Sequence, residues 1–263
     1  MLQLNPPFNW AALRTIDGRT AHRVKCVEKN ARKISHSLSH SGRAALGDVV
    51  GRIQRENGLN IRSIPLIYAD DRQCDDGITT FSTAIGAYIT GIDHDIDLQN
   101  LTPHLRSSNS YASRHTEEGT EYITKYYAAD QISDQIPLLV QEYRAALDNQ
   151  DILLGSALAY AHLLAIHPLT DGNGRAARRT IINVLSHLYG FPKHLLPLSL
   201  MISRDKKRHN DCLKMAQGDT DMPSYLKYFT ELMGASFEMM ALLAYVRLKR
   251  FGDLDDRHVA NLS

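Results

Sequence analysis

The sequence predicts a mainly helical, all-α protein with one short β-hairpin, and three observations carry that prediction. Over most of its length apolar residues recur at three- and four-residue steps, the spacing of one buried helical face. Only the stretch 110–127 is dense in β-branched and aromatic residues. The chain has 263 residues, 43% of them hydrophobic, enough for one large core or a core with a smaller unit.

The elements follow in order. Thr20 to Ser39 places Val24, Val27, Ala31, Ile34 and Leu38 on one helical stripe. Ser41 to Glu56 reads as a second helix, stopped at Asn57-Gly58. Ile61 to Tyr68, broken by Pro65, reads as extended or loop, and Thr79 to Ile89 as helix. The acidic stretch from Asp93 to Leu105 marks the expected boundary between an N-terminal helical region of unassigned role (1–92) and the core (93–234). Ser110 to His115 and Thr120 to Tyr127 form the expected hairpin, with Gly119 before the second arm. Helix resumes at Ile136-Pro137, where proline suits a first turn, and runs to about Leu147. The next helix spans Asp151 to Ala165, with Asp151 placed to cap it and Leu154, Ala157, Leu158, Ala161, Leu164 and Ala165 turned inward. A helix from about Gly174 buries Ala177, Ile181, Val184, Leu185 and Leu188 and ends at Gly190 and Pro192. Helices at Arg204 to Ala216 and Pro223 to Arg250 follow, the last with Leu226, Phe229, Leu232, Met233, Phe237 and Met240 at core spacing; 235–263 continue it into a tail.

Composition excludes several classes of function. A net charge of +1 gives no global field toward nucleic acid or an anionic membrane, so no nucleic-acid partner is expected. The basic bias before Leu59 reads as a solvated helical face. Cys26, Cys74 and Cys212 are three and widely spaced, which argues against a disulfide framework and a structural zinc site. No stretch is long and uncharged enough to span a bilayer, and Asn5, Pro6, Pro7 and Asn9 break any signal-peptide pattern. The expected location is cytoplasmic, or exported as an effector without a cleaved signal.

The chemistry lies between the two buried helices, in His167-Pro168-Leu169-Thr170-Asp171-Gly172-Asn173-Gly174-Arg175-Ala176-Ala177-Arg178. Pro168 cannot continue the preceding helix, so His167 is left near its C-terminal end. Gly172 and Gly174 permit positive φ and close approach of backbone to a ligand. The following helix opens with unsatisfied N–H groups and the positive end of its dipole, a natural phosphate cradle. Arg175 and Arg178, three apart, lie on one side of its first turns and suit a polyphosphate. Asp171 supplies a carboxylate where phosphate oxygens and water complete a Mg²⁺ shell. His167 is the group whose ordinary pKa lies near neutrality, fit to take a proton from an attacking hydroxyl. Together these groups make a phosphoryl- or nucleotidyl-transfer site. A helix–helix turn by itself requires none of them.

The run His167 to Arg178 resembles the signature of the Fic (Fido) family, H-P-F-x-D/E-G-N-G-R-x-x-R, with Leu169 in place of phenylalanine. Leucine there should fill a similar apolar site behind the loop. The resemblance covers roughly Asp93 to Gly234 and implies a Fic fold, with the hairpin at 110–127 as its flap. It implies a protein adenylyltransferase that moves AMP from ATP to a Ser, Thr or Tyr hydroxyl of a target protein, with Mg²⁺ as cofactor. By the same resemblance, His167 is the general base and Asp171 the metal ligand. Gly172, Asn173 and Gly174 form the anion hole, Arg175 binds the β-phosphate, and Arg178 orients the γ-phosphate. The backbone of Glu121, Tyr122, Ile123 and Thr124 would clamp an extended target segment by strand addition. Other readings within the fold are transfer of UMP, phosphocholine or phosphate, or a binding module kept inactive by a partner. His162 reads as a packed histidine, Tyr126 and Tyr127 as hairpin packing, and Arg179 as solvent-facing. The inhibitory helix S/T-x-x-x-E-G/N carried by many relatives has no counterpart here; Ser35 to His40 places serine where its glutamate belongs. Inhibition is therefore expected to be lacking or to come from a separate, antitoxin-like protein.

Overall fold

The computed structural model describes residues 8–37, 105–116, 119–191, 196–218 and 220–251. The expected elements at Ser41–Glu56, Ile61–Tyr68 and Thr79–Ile89, and most of Asp93–Leu105, lie outside them. The described chain is mainly helical. A short 3-10 turn, Trp10–Arg14, precedes α1 (Gly18–Ser37). Strands β1 (Tyr111–Thr116) and β2 (Gly119–Lys125) come next, then a 3-10 turn Ala129–Gln131. The remaining helices are α2 (Ile132–Asp148), α3 (Ile152–Ile166), α4 (Asn173–Tyr189), α5 (Leu198–Arg204), α6 (Lys206–Gln217) and α7 (Met222–Phe251).

At the centre is α3, in which every residue from Leu153 to Ile166 is buried. Sequence spacing gave it one apolar stripe; small residues on the other faces let α2, α4 and α7 close around it. Gly155 shows how tight this is, since a Cβ there would lie 2.7 Å from the Ala146 Cβ of α2. On α1, Val24, Val27, Ala31 and Ile34 join the same core, as do Ala177, Ile181, Val184 and Leu185 of α4 and Leu226, Phe229, Leu232, Met233, Phe237 and Met240 of α7. Burying each such large side chain contributes roughly 1.5–3 kcal/mol.

Helix boundaries depart from expectation where caps and partners intervene. α1 begins at Gly18, before Thr20, because Asp17 Oδ1 accepts the Thr20 N–H at 2.9 Å. α2 begins at Ile132, so Pro137 sits inside the helix rather than in its first turn. Asp151 precedes α3 but makes no side-chain cap, and partial burial raises its pKa. The Leu153 N–H is taken instead by Glu28 of α1, whose Oε1 also accepts from the Tyr189 hydroxyl at 3.0 Å. Ser35, in the segment compared with an inhibitory helix, donates to the Gly190 carbonyl at 2.6 Å. That contact lies beyond the C-terminus of α4, at the end opposite the glycine-bearing loop.

The strands pair antiparallel from Tyr111↔Lys125 to Thr116↔Gly119. The register shifts between Ala112↔Thr124 and Ser113↔Tyr122, leaving Ile123 as a bulge. Among the described residues, no helix is long and apolar enough to cross a membrane.

Candidate active site

The site is the turn between α3 and α4. α3 stops at Ile166 because Pro168 disfavours the right-handed helical conformation at His167. His167 takes a left-handed conformation instead, φ 51° and ψ 57°, strained for a residue with a side chain. Its imidazole is half-buried, its Nδ1 is enclosed without a hydrogen-bond partner, and the Tyr126 ring stacks on it with centroids 3.7 Å apart and planes 15° apart. Burial brings the His167 pKa down to about 4; the Leu164 backbone and Asp171 oppose that, while the charge of Arg106 adds to it. The imidazole is therefore neutral at pH 7.

Beyond Pro168 the loop is shaped by Asn173, which is buried. Its Oδ1 accepts from Leu169 N at 2.9 Å and its Nδ2 donates to Leu169 O at 2.7 Å. This side chain thus braces the loop at the N-terminal end of α4. Leu169 packs against the core, as expected for the residue standing in for phenylalanine. Gly172 is left-handed at φ 85°, and its carbonyl accepts the Ala176 N–H at 3.0 Å to start the helix. Gly174 differs from expectation: it is helical, without positive φ. Its missing Cβ matters for another reason, since a Cβ there would stand 3.3 Å from Arg178 Nη1.

Charged groups gather at this N-terminus. Exposed Asp171 accepts the Gly172 N–H at 2.6 Å through Oδ1 and pairs with Arg175 at 3.3 Å through Oδ2. Arg178 turns toward the protein and donates to Ser199 Oγ at 3.1 Å. It also faces the buried Tyr160 hydroxyl, whose pKa is raised by burial and eased down by Arg178. Tyr160 shares a 3.1 Å hydrogen bond with His209 Nε2, and His209 Nδ1 shares one of 3.0 Å with the Tyr228 hydroxyl. Burial, aided by the Arg178 charge, holds His209 at about 4, so a neutral chain of hydroxyls and imidazole backs the guanidinium.

The structure therefore brings together His167, Asp171, Gly172, Asn173, Gly174, Arg175 and Arg178. Glu121, Tyr122, Ile123 and Thr124 lie on β2, which leads directly into the Tyr126 that covers His167. Tyr126, read as hairpin packing, lies just past β2 and stacks on His167, and the contacts of Tyr160, Ser199 and Arg106 with the turn were not anticipated. Arg106 and Ser199 fall between the elements the sequence pattern marks, and Tyr160 lies within a helix read as core. His162 is a packed histidine, as expected: Trp10 Nε1 donates to its Nδ1 at 3.2 Å, and the Phe8 ring stacks on it at 4.7 Å.

Comparison with known proteins follows the same stretch. Residues 93–185 match the model of the Fic/DOC family. The protein adenylyltransferase fic-1 of Caenorhabditis briggsae is 32% identical over 94 residues, covering 36% of this chain and 17% of that protein. The Caenorhabditis elegans protein adenylyltransferase fic-1 matches with the same identity and coverage. The chain thus spans 17% of the length of these curated relatives. A Fic family protein from Desulfovibrio desulfuricans G20 is 14% identical, with 90% of this chain and 76% of that one covered and a TM-score of 0.46. A Fic domain containing signaling protein from Bacteroides thetaiotaomicron VPI-5482 is 16% identical, with 90% and 94% covered and a TM-score of 0.42.

Proposed function

On the premise that this chain is a Fic-domain protein, we propose that it is a protein adenylyltransferase that moves AMP from ATP to a Ser, Thr or Tyr hydroxyl of a target protein. The observation that carries this reading is the α3–α4 turn. It joins a neutral, strained histidine to a helix N-terminus bearing Asp171, Arg175 and Arg178. Attack on a phosphorus needs an activated hydroxyl, in-line positioning and charge neutralisation, and this turn carries groups suited to each.

In this reading His167 takes the proton of the target hydroxyl as its oxygen attacks the α-phosphorus. The α–β bridging P–O bond breaks, and pyrophosphate leaves. A neutral imidazole is the form that accepts a proton, and approaching phosphates would raise its affinity for one. The backbone N–H groups of Asn173 and Gly174 would meet the anion, joined by that of Gly172 once Asp171 gives up its 2.6 Å contact with it to hold the metal; Arg175 would hold the β-phosphate, and Arg178 would orient the γ-phosphate. Gly174 keeps the space that the Arg178 guanidinium occupies.

Mg²⁺ fits the donor set as an ion carried with the nucleotide. Asp171 is an exposed carboxylate at the helix mouth, and among the described residues no group of three His, Cys, Asp or Glu could cage a metal. Asp171 would hold it, with phosphate oxygens and water as its other ligands; bound there, it neutralises phosphate charge. The backbone of Glu121 to Thr124 is proposed to clamp the target segment by strand addition, with the Ile123 bulge limiting the length of that pairing. Among the described residues Arg178 meets the hydroxyls of Ser199 and Tyr160. We place inhibition, where it operates, in a separate antitoxin-like protein, and the enzyme in the cytoplasm or among effectors exported without a cleaved signal.

The test is incubation with Mg²⁺, a lysate and labelled ATP, GTP, UTP or CTP in turn, followed by mass spectrometry of labelled proteins. Label from ATP appearing as AMP on a hydroxyl, and lost in His167→Ala, is the expected outcome. UMP or phosphate on the target would replace the nucleotide assignment, and no label from any nucleotide would overturn it.

A further inference from the structure

We propose that Arg106 is a positioning residue for the reaction at His167, a planar bracket that ties the strained end of α3 to the exit of β2 and so holds Tyr126 across the imidazole. This rests on the reading of His167 as the general base. Arg106 is 3% exposed, and the hydrogen bonds of its guanidinium all go to backbone carbonyls. Nε donates to His167 O at 2.7 Å and Nη2 to Ile166 O at 3.2 Å, two carbonyls at the C-terminal end of α3. Nη2 also donates to Tyr127 O, and Nη1 to Ser108 O at 2.7 Å, on the segments flanking the strand pair.

The backbone repeats the same stitching. Arg106 N donates to Pro168 O at 2.9 Å, and Tyr127 N to Ala165 O at 3.1 Å. Residues 106–108 and 127 are thereby laced to 165–168, on both sides of the left-handed His167. A buried cation needs compensation, and the negative end of the α3 dipole supplies part of it. Four N–H donors held in one rigid plane, of the five a guanidinium offers, serve these four carbonyls; an ammonium radiates three donors from a single point and spans them poorly. Tyr126, adjacent to Tyr127, closes one face of the imidazole at 3.7 Å. Among the described residues Tyr126, Arg106, Asp171 and the Leu164 backbone act on the His167 ring, so the bracket sets both the ring's pose and part of its field.

Arg106→Lys is the informative variant, read in two independent ways on the full chain. The first is transfer kinetics: kcat is expected to fall roughly 10²-fold, as for a misplaced reacting group, with the KM for ATP within about twofold of wild type. The second is NMR of the His167 ring protons, assigned with His167→Gln. Stacking under Tyr126 shifts them upfield, Tyr126→Leu defines the unstacked position, and Arg106→Lys is expected to move them toward it. Should the lysine variant fail to fold, Arg106→Gln, which keeps a planar pair of donors, replaces it in both measurements. Unchanged kcat together with unmoved ring protons would overturn the proposal, as would a KM rise at constant kcat. If wild type transfers no group from any nucleotide but the ring protons still move, the bracket stands and the functional reading falls.

Discussion

His162 lies inside a buried helix and His167, five residues on, just past its end, and the two finish in opposite conditions. His162 sits inside α3 with both ring nitrogens engaged, Nδ1 by Trp10 Nε1 and Nε2 by Gln135 Oε1 at 3.4 Å. Because the indole only donates, His162 must carry its proton on Nε2 and is locked in one neutral tautomer. Burial alone takes its pKa to about 3. His167 sits one residue beyond the helix, backbone strained, Nδ1 enclosed without a partner, one ring face under Tyr126. Both are depressed by burial, so a perturbed pKa does not separate them. Satisfied hydrogen bonding does: the first residue is finished by its neighbours, and the second is held with capacity to spare.

The largest effect expected from this contrast is on transfer. His167→Ala should lower the rate by about 10²–10⁴, the usual worth of a positioned base. His162→Ala should chiefly lower the free energy of unfolding measured in denaturant, by roughly 1–3 kcal/mol, since it strands the Trp10 N–H. Equal rate losses in the two variants would erase the distinction. Asp171→Asn comes next: the rate at fixed Mg²⁺ should fall roughly 10²-fold, with partial recovery at higher Mg²⁺. A rate independent of Mg²⁺ in both forms would remove Asp171 from the site.

Acid should then expose what the two residues share. His162, His167 and His209 are neutral when folded, at about 3, about 4 and about 4, against 6.5 unfolded. Between those values the unfolded chain binds the extra protons, so their contribution is complete above about pH 6.5 and is lost as pH falls toward 4. Each extra proton adds roughly 1.4 kcal/mol per pH unit to the slope. Denaturant midpoints should therefore rise from pH 4 to about 6.5 and level off toward 8, and His209→Gln should make the rise shallower; a flat wild-type curve would contradict all three assignments. The smallest effect is Trp10→Phe, which keeps the ring packing but leaves His162 Nδ1 without its donor. A loss of about 1 kcal/mol at unchanged transfer rate is expected.

The helical class, the core faces of α1, α3, α4 and α7, and the α3–α4 turn with its charged residues were legible because each is written locally. Apolar spacing, a proline after a histidine, and glycines before arginines act through neighbouring residues in the chain. Caps were legible only in part. Asp151 has the chemistry of an N-cap, yet the first turn of α3 is served by Glu28, 125 positions away along the chain. Gly174 was read as a freely bending position, whereas it is helical and its missing side chain leaves room for Arg178.

The sequence by itself determined which residues gather at the turn, since ten or so neighbouring positions suffice to break one helix, begin another and load the gap with charge. Only the tertiary structure decided how those groups are held. Arg106 reaches His167 across 61 positions, and Ser199 reaches Arg178 across 21. Tyr126 arrives from the end of a strand to cover the imidazole. The physical reason is that a hydrogen bond between distant segments leaves no periodic trace in either one; it exists only after packing has brought donor and acceptor together.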